Sequence, residues 1–114
     1  MADSSSTPKA DLLPGTLEML ILRTLTLGSL HGYGISQHIE RSSQGVLKVE
    51  QGSLYPALER LLGKGWVTAK WGETPTGRRA RYYTITRSGR AQLRRKAEEY
   101  ERVVGAITQV MSEA

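Results

Sequence analysis

Apolar residues recur with helical spacing in the first part of the chain. Over residues 14–27 the side chains of Leu17, Ile21 and Leu25 share one face, and other apolar residues cover most of the cylinder. A helix that is apolar on nearly all sides is typically buried against more than one neighbour. Because proline is favoured in the first turn of a helix, Pro14 marks the start of this predicted helix. The glycine-rich residues that follow mark its end.

A second helix is predicted over residues 33–43, where Ile35 and Ile39 face inward. Its pattern is weaker than that of the first, because glycines make its start uncertain. The chain that follows, "VLKV" at 46–49, is consistent with either a very short strand or extended chain.

A third helix is predicted by the segment "GSLYPALERLLGKG", whose leucine face consists of Leu54, Leu58, Leu61 and Leu62. We expect Ser53 to be its N-cap, because a serine hydroxyl can accept a hydrogen bond from the amides of the first turn. Pro56 is then expected inside that turn, where its missing amide hydrogen costs little.

Two runs with a period of two come next, "VTAKW" and "RYYTI". This alternation predicts β-strands, and the loop between them, which contains Gly72, Pro75 and Gly77, predicts a β-hairpin. We expect the hairpin to have a long, basic tip at Arg78 and Arg79.

The last segment has the spacing of a coiled-coil seam. Thr86 suits the N-cap of a helix from about Arg87 to Met111, roughly 35–40 Å long. Three short helices and a hairpin cannot cover such a rod, so pairing with the same helix of a second chain is favoured over packing in cis. The predicted dimerisation residues are Leu93, Ala97, Tyr100, Val104, Ile107 and Met111.

Positive charge is concentrated in the middle of the chain. The 114 residues carry a net charge of +5, but the segment from Lys64 to Lys96 alone has ten lysines and arginines against one acidic residue, Glu73. Most of these cations are arginines, and aromatic residues lie among them. Because arginine forms bidentate contacts with phosphate, this block indicates a polyanionic partner.

Cysteine is absent, which excludes disulfides and thiolate metal sites and favours a reducing, cytoplasmic location. The longest apolar-rich stretch, "LEMLILRTLTL", is much shorter than a membrane span. Residues 1–11 have no apolar core, so we expect a disordered leader and not a signal peptide.

Three helices followed by a basic hairpin is the order of a winged helix-turn-helix. We therefore expect a mainly α fold with a small β-hairpin, in which residues 12–86 form a DNA-binding domain and residues 87–112 a dimerisation helix. In this arrangement the third helix enters the major groove. The side chains expected to face DNA are those of Gln51, Ser53, Tyr55, Arg60 and Lys64.

Five segments resemble, in order, those of the PadR family of bacterial transcriptional regulators, and specifically its members with a short C-terminal region. They are "LLPGTLEMLILRTL", "HGYGISQHIE", "GVLKVEQGSLYPALERLLGKGWV", "GRRARYYTIT" and "GRAQL". The resemblance implies a homodimeric winged-helix repressor that binds an operator with an inverted repeat. It also implies that some members respond to small aromatic effectors.

The resemblance extends to individual residues. "GSLYPAL" matches the start of the family's recognition helix, which implies DNA contacts by Ser53 and Tyr55. "GRRARYY" matches the family's wing, which implies contacts by Arg78 and Arg79, whereas a contact by Arg81 depends on the strand face that points to DNA.

Other functions have less support. The two histidines lack a third ligand at a metal-site spacing, and "GKG" lacks the remainder of a phosphate-binding loop, so we predict neither an enzyme nor a cofactor. A winged helix that binds another protein is the alternative to DNA binding, but it has no need of the arginine-rich block. Tyr100, Trp66 and Trp71 are consistent with an aromatic effector pocket, although we favour a role in the seam for the tyrosine and in the wing core for the tryptophans.

Overall fold

Helices and a small antiparallel sheet make up residues 15–113, which are the residues described by this computed structural model. The expected leader, residues 1–11, and Pro14 lie outside the described residues. The elements are α1 (Thr16–Leu25), β1 (Leu30–His31), α2 (Gly32–Ser42), α3 (Gln51–Gly63), β2 (Val67–Glu73), β3 (Arg79–Ile85) and α4 (Arg87–Met111).

The core forms around α1, which contacts α2, α3, α4 and β3. Its side chains Ile21, Leu22 and Leu25 are almost fully buried, so the prediction of a helix buried on more than one side is confirmed. The helices α2 and α3 and the sheet contribute one apolar face each, and α4 adds the partly buried Leu93. The remaining core residues are Leu17, Ile35, Ile39, Leu54, Ala57, Leu58, Leu61, Val67, Tyr83 and Ile85.

The predicted hairpin is present, and β2 and β3 pair along their full length from Val67↔Ile85 to Glu73↔Arg79. We call this hairpin, residues 67–85, the wing. Arg79 lies at the start of β3 and not at the hairpin tip, which is therefore shorter than expected. The sheet also has a third strand, β1, which pairs with β3 through Leu30↔Tyr83. A strand of two residues has no periodicity, so the sequence pattern missed it.

The prediction that Ser53 is the N-cap of α3 was wrong. The helix begins at Gln51, and Glu50 is its N-cap. Consequently Pro56 lies in the second turn and not in the first. Since proline has no amide hydrogen, it cannot donate to the carbonyl of Gly52 four residues earlier. Both residues are exposed, so water can hydrate that carbonyl.

The C-terminus of α3 and the start of α4 meet at the base of the wing. Gly65 has a φ of 75° and closes a Schellman motif, in which Trp66 N–H donates to Leu61 C=O at 3.0 Å. The predicted cap of α4 is confirmed: Thr86 Oγ1 accepts from Gly89 N–H at 3.0 Å. The same hydroxyl donates to Gly65 C=O at 2.8 Å.

The second half of α4 projects away from this domain. Every residue from Glu98 to Met111 is exposed, whereas Leu93 packs against the core. Within residues 15–113, the second half of the helix therefore does not pack in cis against the other elements. Among the described residues, α4 is too polar to cross a membrane, and the other helices are too short.

Candidate nucleic-acid interface

A groove of about 960 Å³ separates α3 from the wing. One wall carries Tyr55 and Glu59 of α3, and the opposite wall carries Trp71, Arg79 and Arg81. Residues at the start of α2 also line the groove. The groove thus combines cations and aromatic rings next to the helix that the sequence pattern predicts to enter DNA.

The register of the hairpin explains why the wing arginines face α3. Alternate residues of β3 share a face, and Tyr83 on that face is buried in the core. Closer to the hairpin tip the same face carries Arg81 and then Arg79. Arg81 therefore lies on the face of the wing that is turned toward α3.

Trp71 is a candidate interface residue that the sequence interpretation assigned to the wing core. Its side chain is 58% exposed, because the hairpin extends beyond the core. The Arg79 guanidinium lies 4.8 Å from the centre of the Trp71 ring, which is a cation–π geometry. The signal in the sequence was the alternation that places Trp71 on the face of the wing that carries Arg79 and Arg81.

The N-terminal half of α3 presents the other predicted contacts. Gln51 and Ser53 are exposed in its first turn, next to backbone amides that precede the first helical hydrogen bond. Tyr55 is 42% exposed and packs its ring against Gly32 at the start of α2. A Cβ at Gly32 would lie 2.8 Å from the Tyr55 hydroxyl, so a larger residue there would have to displace this ring.

Arg60 and Lys64 lie on the flank of α3 away from Tyr55, and neither lines the groove. Arg60 Nε is 2.7 Å from Glu18 Oε2, and Lys64 Nζ is 3.2 Å from Glu18 Oε1. The Glu18 carboxylate is buried, which alone would raise its pKa. The two cations outweigh burial through hydrogen bonds and charge, so the pKa of Glu18 lies below its usual value of 4.5.

Arg81 and Glu59 form an ion pair across the groove, with 3.3 Å between Arg81 Nη1 and Glu59 Oε2. Tyr83 lies beneath Arg81, and burial raises the pKa of its hydroxyl although the Arg81 charge acts in the opposite direction. Four of the residues predicted to contact DNA thus line one groove. They are Tyr55, Arg78, Arg79 and Arg81.

Both histidines make local contacts within or at the start of α2. His31 is its N-cap, because the Nδ1 atom accepts a hydrogen bond from Gly34 N–H at 2.9 Å. His38 Nε2 lies 3.1 Å from the Ser42 hydroxyl. Across residues 15–113, histidine and acidic side chains do not cluster in groups of three that could bind a metal ion.

A second groove, of about 580 Å³, runs between α1 and the first half of α4. Its floor is apolar and includes Met19, Leu20 and Leu93, and the side chain of Tyr100 lies at one end. Arginines surround this floor. They are Arg23, Arg90 and Arg94.

The model of the PadR-like family of transcriptional regulators matches residues 21–95. The chain belongs to this family. An uncharacterised protein of Lysinibacillus sphaericus is 30% identical to it over 95 residues, which span 83% of this chain and 87% of that protein. Members of the family are transcriptional regulators and not enzymes, and DNA is their partner.

Solved structures agree with this assignment. A transcriptional regulator from Clostridium thermocellum has a TM-score of 0.79 and 30% identity, over 88% of this chain and 97% of that chain. A PadR-like transcriptional regulator from Bacillus cereus has a TM-score of 0.77 over 92% of this chain and 100% of that chain. Its identity is 24%, so this second likeness concerns the fold. The predicted fold, mainly α with a small hairpin in a winged helix-turn-helix, is confirmed.

Proposed function

We propose that this PadR-like chain is a homodimer that binds an operator with an inverted repeat and represses transcription. One observation carries the proposal: the groove between α3 and the wing combines three arginines with exposed aromatic rings beside the open N-terminus of α3. This combination suits a duplex, because the major groove admits a helix while the wing follows the backbone.

In this proposal the wing supplies most of the affinity. Arg78 and Arg79 are exposed and bind phosphates, as do the first amides of α3 near Gln51 and Ser53. Such contacts release counterions and carry no sequence information. Arg60 and Lys64 position α3 through Glu18 in this proposal and do not contribute to the groove.

A second copy of the chain covers the exposed half of α4. The side chains of Tyr100, Val104, Ile107 and Met111 lie along one strip and are 38–78% exposed, and we call them the α4 strip. The groove between α1 and α4 offers an apolar floor for such a strip. The charges are complementary too, because three arginines and one glutamate, Glu101, line the groove, whereas Glu98 and Glu99 lie beside the strip.

Dimerisation sets the distance between the two recognition helices. Because α4 is joined closely to the base of the wing at Thr86 and Gly89, its pairing angle determines where the second α3 lies. Two half-sites are then read about one helical turn of DNA apart, roughly 34–36 Å, or a multiple of that distance. A small aromatic effector that changes the pairing angle relieves repression in this scheme.

Selection from random DNA tests the proposal. The full chain is incubated with a pool of random duplexes at two salt concentrations, and the bound fraction is sequenced. We expect an enriched inverted repeat whose affinity falls steeply with salt. Salt-sensitive binding without enrichment would contradict sequence recognition, and the absence of binding would favour the alternative, a winged helix that binds another protein.

A further inference from the structure

The outward side of α3 carries a ridge formed by residues 52, 56, 59 and 63. Steps of four, three and four residues place Gly52, Pro56, Glu59 and Gly63 along one line of the helix surface, and all four are exposed. The buried side of the helix carries the leucine face that packs in the core. The ridge is therefore the part of α3 that reaches deepest into anything that binds the helix from outside.

Glu59 is the polar side chain of this ridge. Glycine and proline side chains form no hydrogen bonds, and open space surrounds the position that a Cβ would occupy at Gly52 and at Gly63. The helix backbone can approach a base pair closely at both glycines. A duplex that binds this ridge consequently faces one hydrogen-bonding side chain, which lies near the middle of the ridge.

The wing holds the Glu59 carboxylate in place. Arg81 Nη1 lies 3.3 Å from Glu59 Oε2, and the two side chains are 40% and 63% exposed. An exposed ion pair of this kind adds little to stability, but it orients the carboxylate toward the groove. A carboxylate has about four acceptor positions, of which this contact with Arg81 occupies one.

We propose that Glu59 is the specificity-determining residue of α3 and accepts a hydrogen bond from the N4 amino group of a cytosine in the major groove. This inference rests on the proposed function. Cytosine presents a donor there, whereas guanine presents two acceptors that repel a carboxylate, and the amino group of adenine lies beside the N7 acceptor. The negative charge also opposes binding to phosphate in general, so Glu59 disfavours sites without the cytosine.

Substitution at this position separates recognition from structure. Random-duplex selection is repeated with Glu59→Gln and Glu59→Ala, and dissociation constants are then measured on the enriched operator and on single-base variants of it. Since glutamine pairs with N6 and N7 of adenine, we expect E59Q to change one cytosine position of each half-site to adenine. E59A should lose the preference for cytosine at that position, which we expect to be roughly 5- to 150-fold in the wild type.

Glu40→Gln is the matched control. Glu40 on α2 also forms an ion pair at 3.3 Å, with Lys48, and is similarly exposed, but it does not line the groove between α3 and the wing. E40Q removes the same charge and should enrich the wild-type motif. If E59Q and E59A also enrich the wild-type motif, the role of Glu59 is refuted while the proposed function stands. A wild-type chain that enriches no motif would refute both.

Discussion

At the scale of single residues, Glu18 links α1 to α3. Its side chain is 7% exposed, yet it stays charged because Arg60 and Lys64 reach it from α3. The sequence pattern predicted that both cations face DNA, because a helical projection of α3 does not show a partner that lies 42 residues from Arg60 and 46 residues from Lys64. The spacing of residues along a helix does not predict tertiary contacts of this kind.

Replacing Glu18 with glutamine should lower the free energy of unfolding by about 1–3 kcal/mol at pH 7, because the substitution removes two charge-assisted hydrogen bonds. Chemical denaturation of the two proteins measures this difference. E40Q is the control and should cost less than about 1 kcal/mol, since its ion pair is exposed. An equal loss of stability in both variants would show that Glu18 is not a buried anchor.

The same ion pair predicts how stability depends on pH. The pKa of Glu18 is lowered in the folded chain from its usual value of 4.5, so its contribution is complete above that unfolded value. The contribution disappears as the pH falls through the lower, folded pKa. The difference between wild type and E18Q should therefore shrink below about pH 4, and a difference independent of pH would contradict the ion pair.

At the scale of elements, the wing is a charged arm whose inner face is continuous with the core. Its strands, like the helices, were predictable from periodicity and turn residues. Trp71 was assigned to the core because alternation indicates a face but not the point where the core ends. The strand β1 was missed because its two residues have no periodic pattern of their own. They form a strand only because they pair with Tyr82 and Tyr83.

Removal of the wing arginines should weaken binding to all DNA sequences. For the double substitution R78A/R79A, we expect the slope of log affinity against log salt to fall by about 0.9 for each phosphate that the wing no longer neutralises. Titration of a duplex at several salt concentrations gives this slope. The control R95A/R102A removes two exposed cations from α4 and should leave the slope nearly unchanged, whereas equal slopes for wild type and R78A/R79A would refute the wing contacts.

The junction of the wing and α4 depends on the absence of a side chain at Gly89. A Cβ there would collide with the backbone carbonyl oxygen of Trp66 and crowd Ile85. Gly89→Ala should therefore destabilise the fold by about 1–3 kcal/mol or more. Gly105→Ala in the same helix meets nothing within 4 Å and should stabilise it by about 0.5–1 kcal/mol.

Denaturant unfolding at one fixed protein concentration compares the two glycine variants. This precaution matters because assembly couples stability to concentration. A G89A protein as stable as G105A would show that α4 can shift away from the base of the wing without cost. Such a result would also remove the basis for a fixed angle between α4 and the recognition helix.

At the scale of the whole molecule, the second half of α4 extends beyond the rest of the described structure. Its principal extents are 55 × 36 × 21 Å, and the long axis reflects a helix whose second half has only solvent around it within the described structure. The apolar spacing of that helix was clear in the sequence. The spacing predicts an exposed strip but not the surface that covers it, which in the proposed dimer belongs to a second copy of the chain.

Charges placed in the α4 strip should separate the proposed dimer. For V104E/I107E we expect a monomer of 12.6 kDa with poor operator binding, since buried unpaired carboxylates are costly. Sedimentation velocity measures the mass. The control A91E/A106E adds the same charges at exposed positions off the strip and should remain dimeric, whereas a V104E/I107E dimer would place the interface elsewhere.

The glycine and proline ridge of α3 has a consequence for how such regulators diverge. Three of its four positions carry no hydrogen-bonding side chain. In the proposal, the choice of operator sequence therefore depends largely on a single codon, that of Glu59. A duplicated gene that exchanges glutamate for glutamine there leaves core, wing and assembly surface untouched. Two paralogues can thus acquire separate operators in a single mutational step and coexist without exchanging targets.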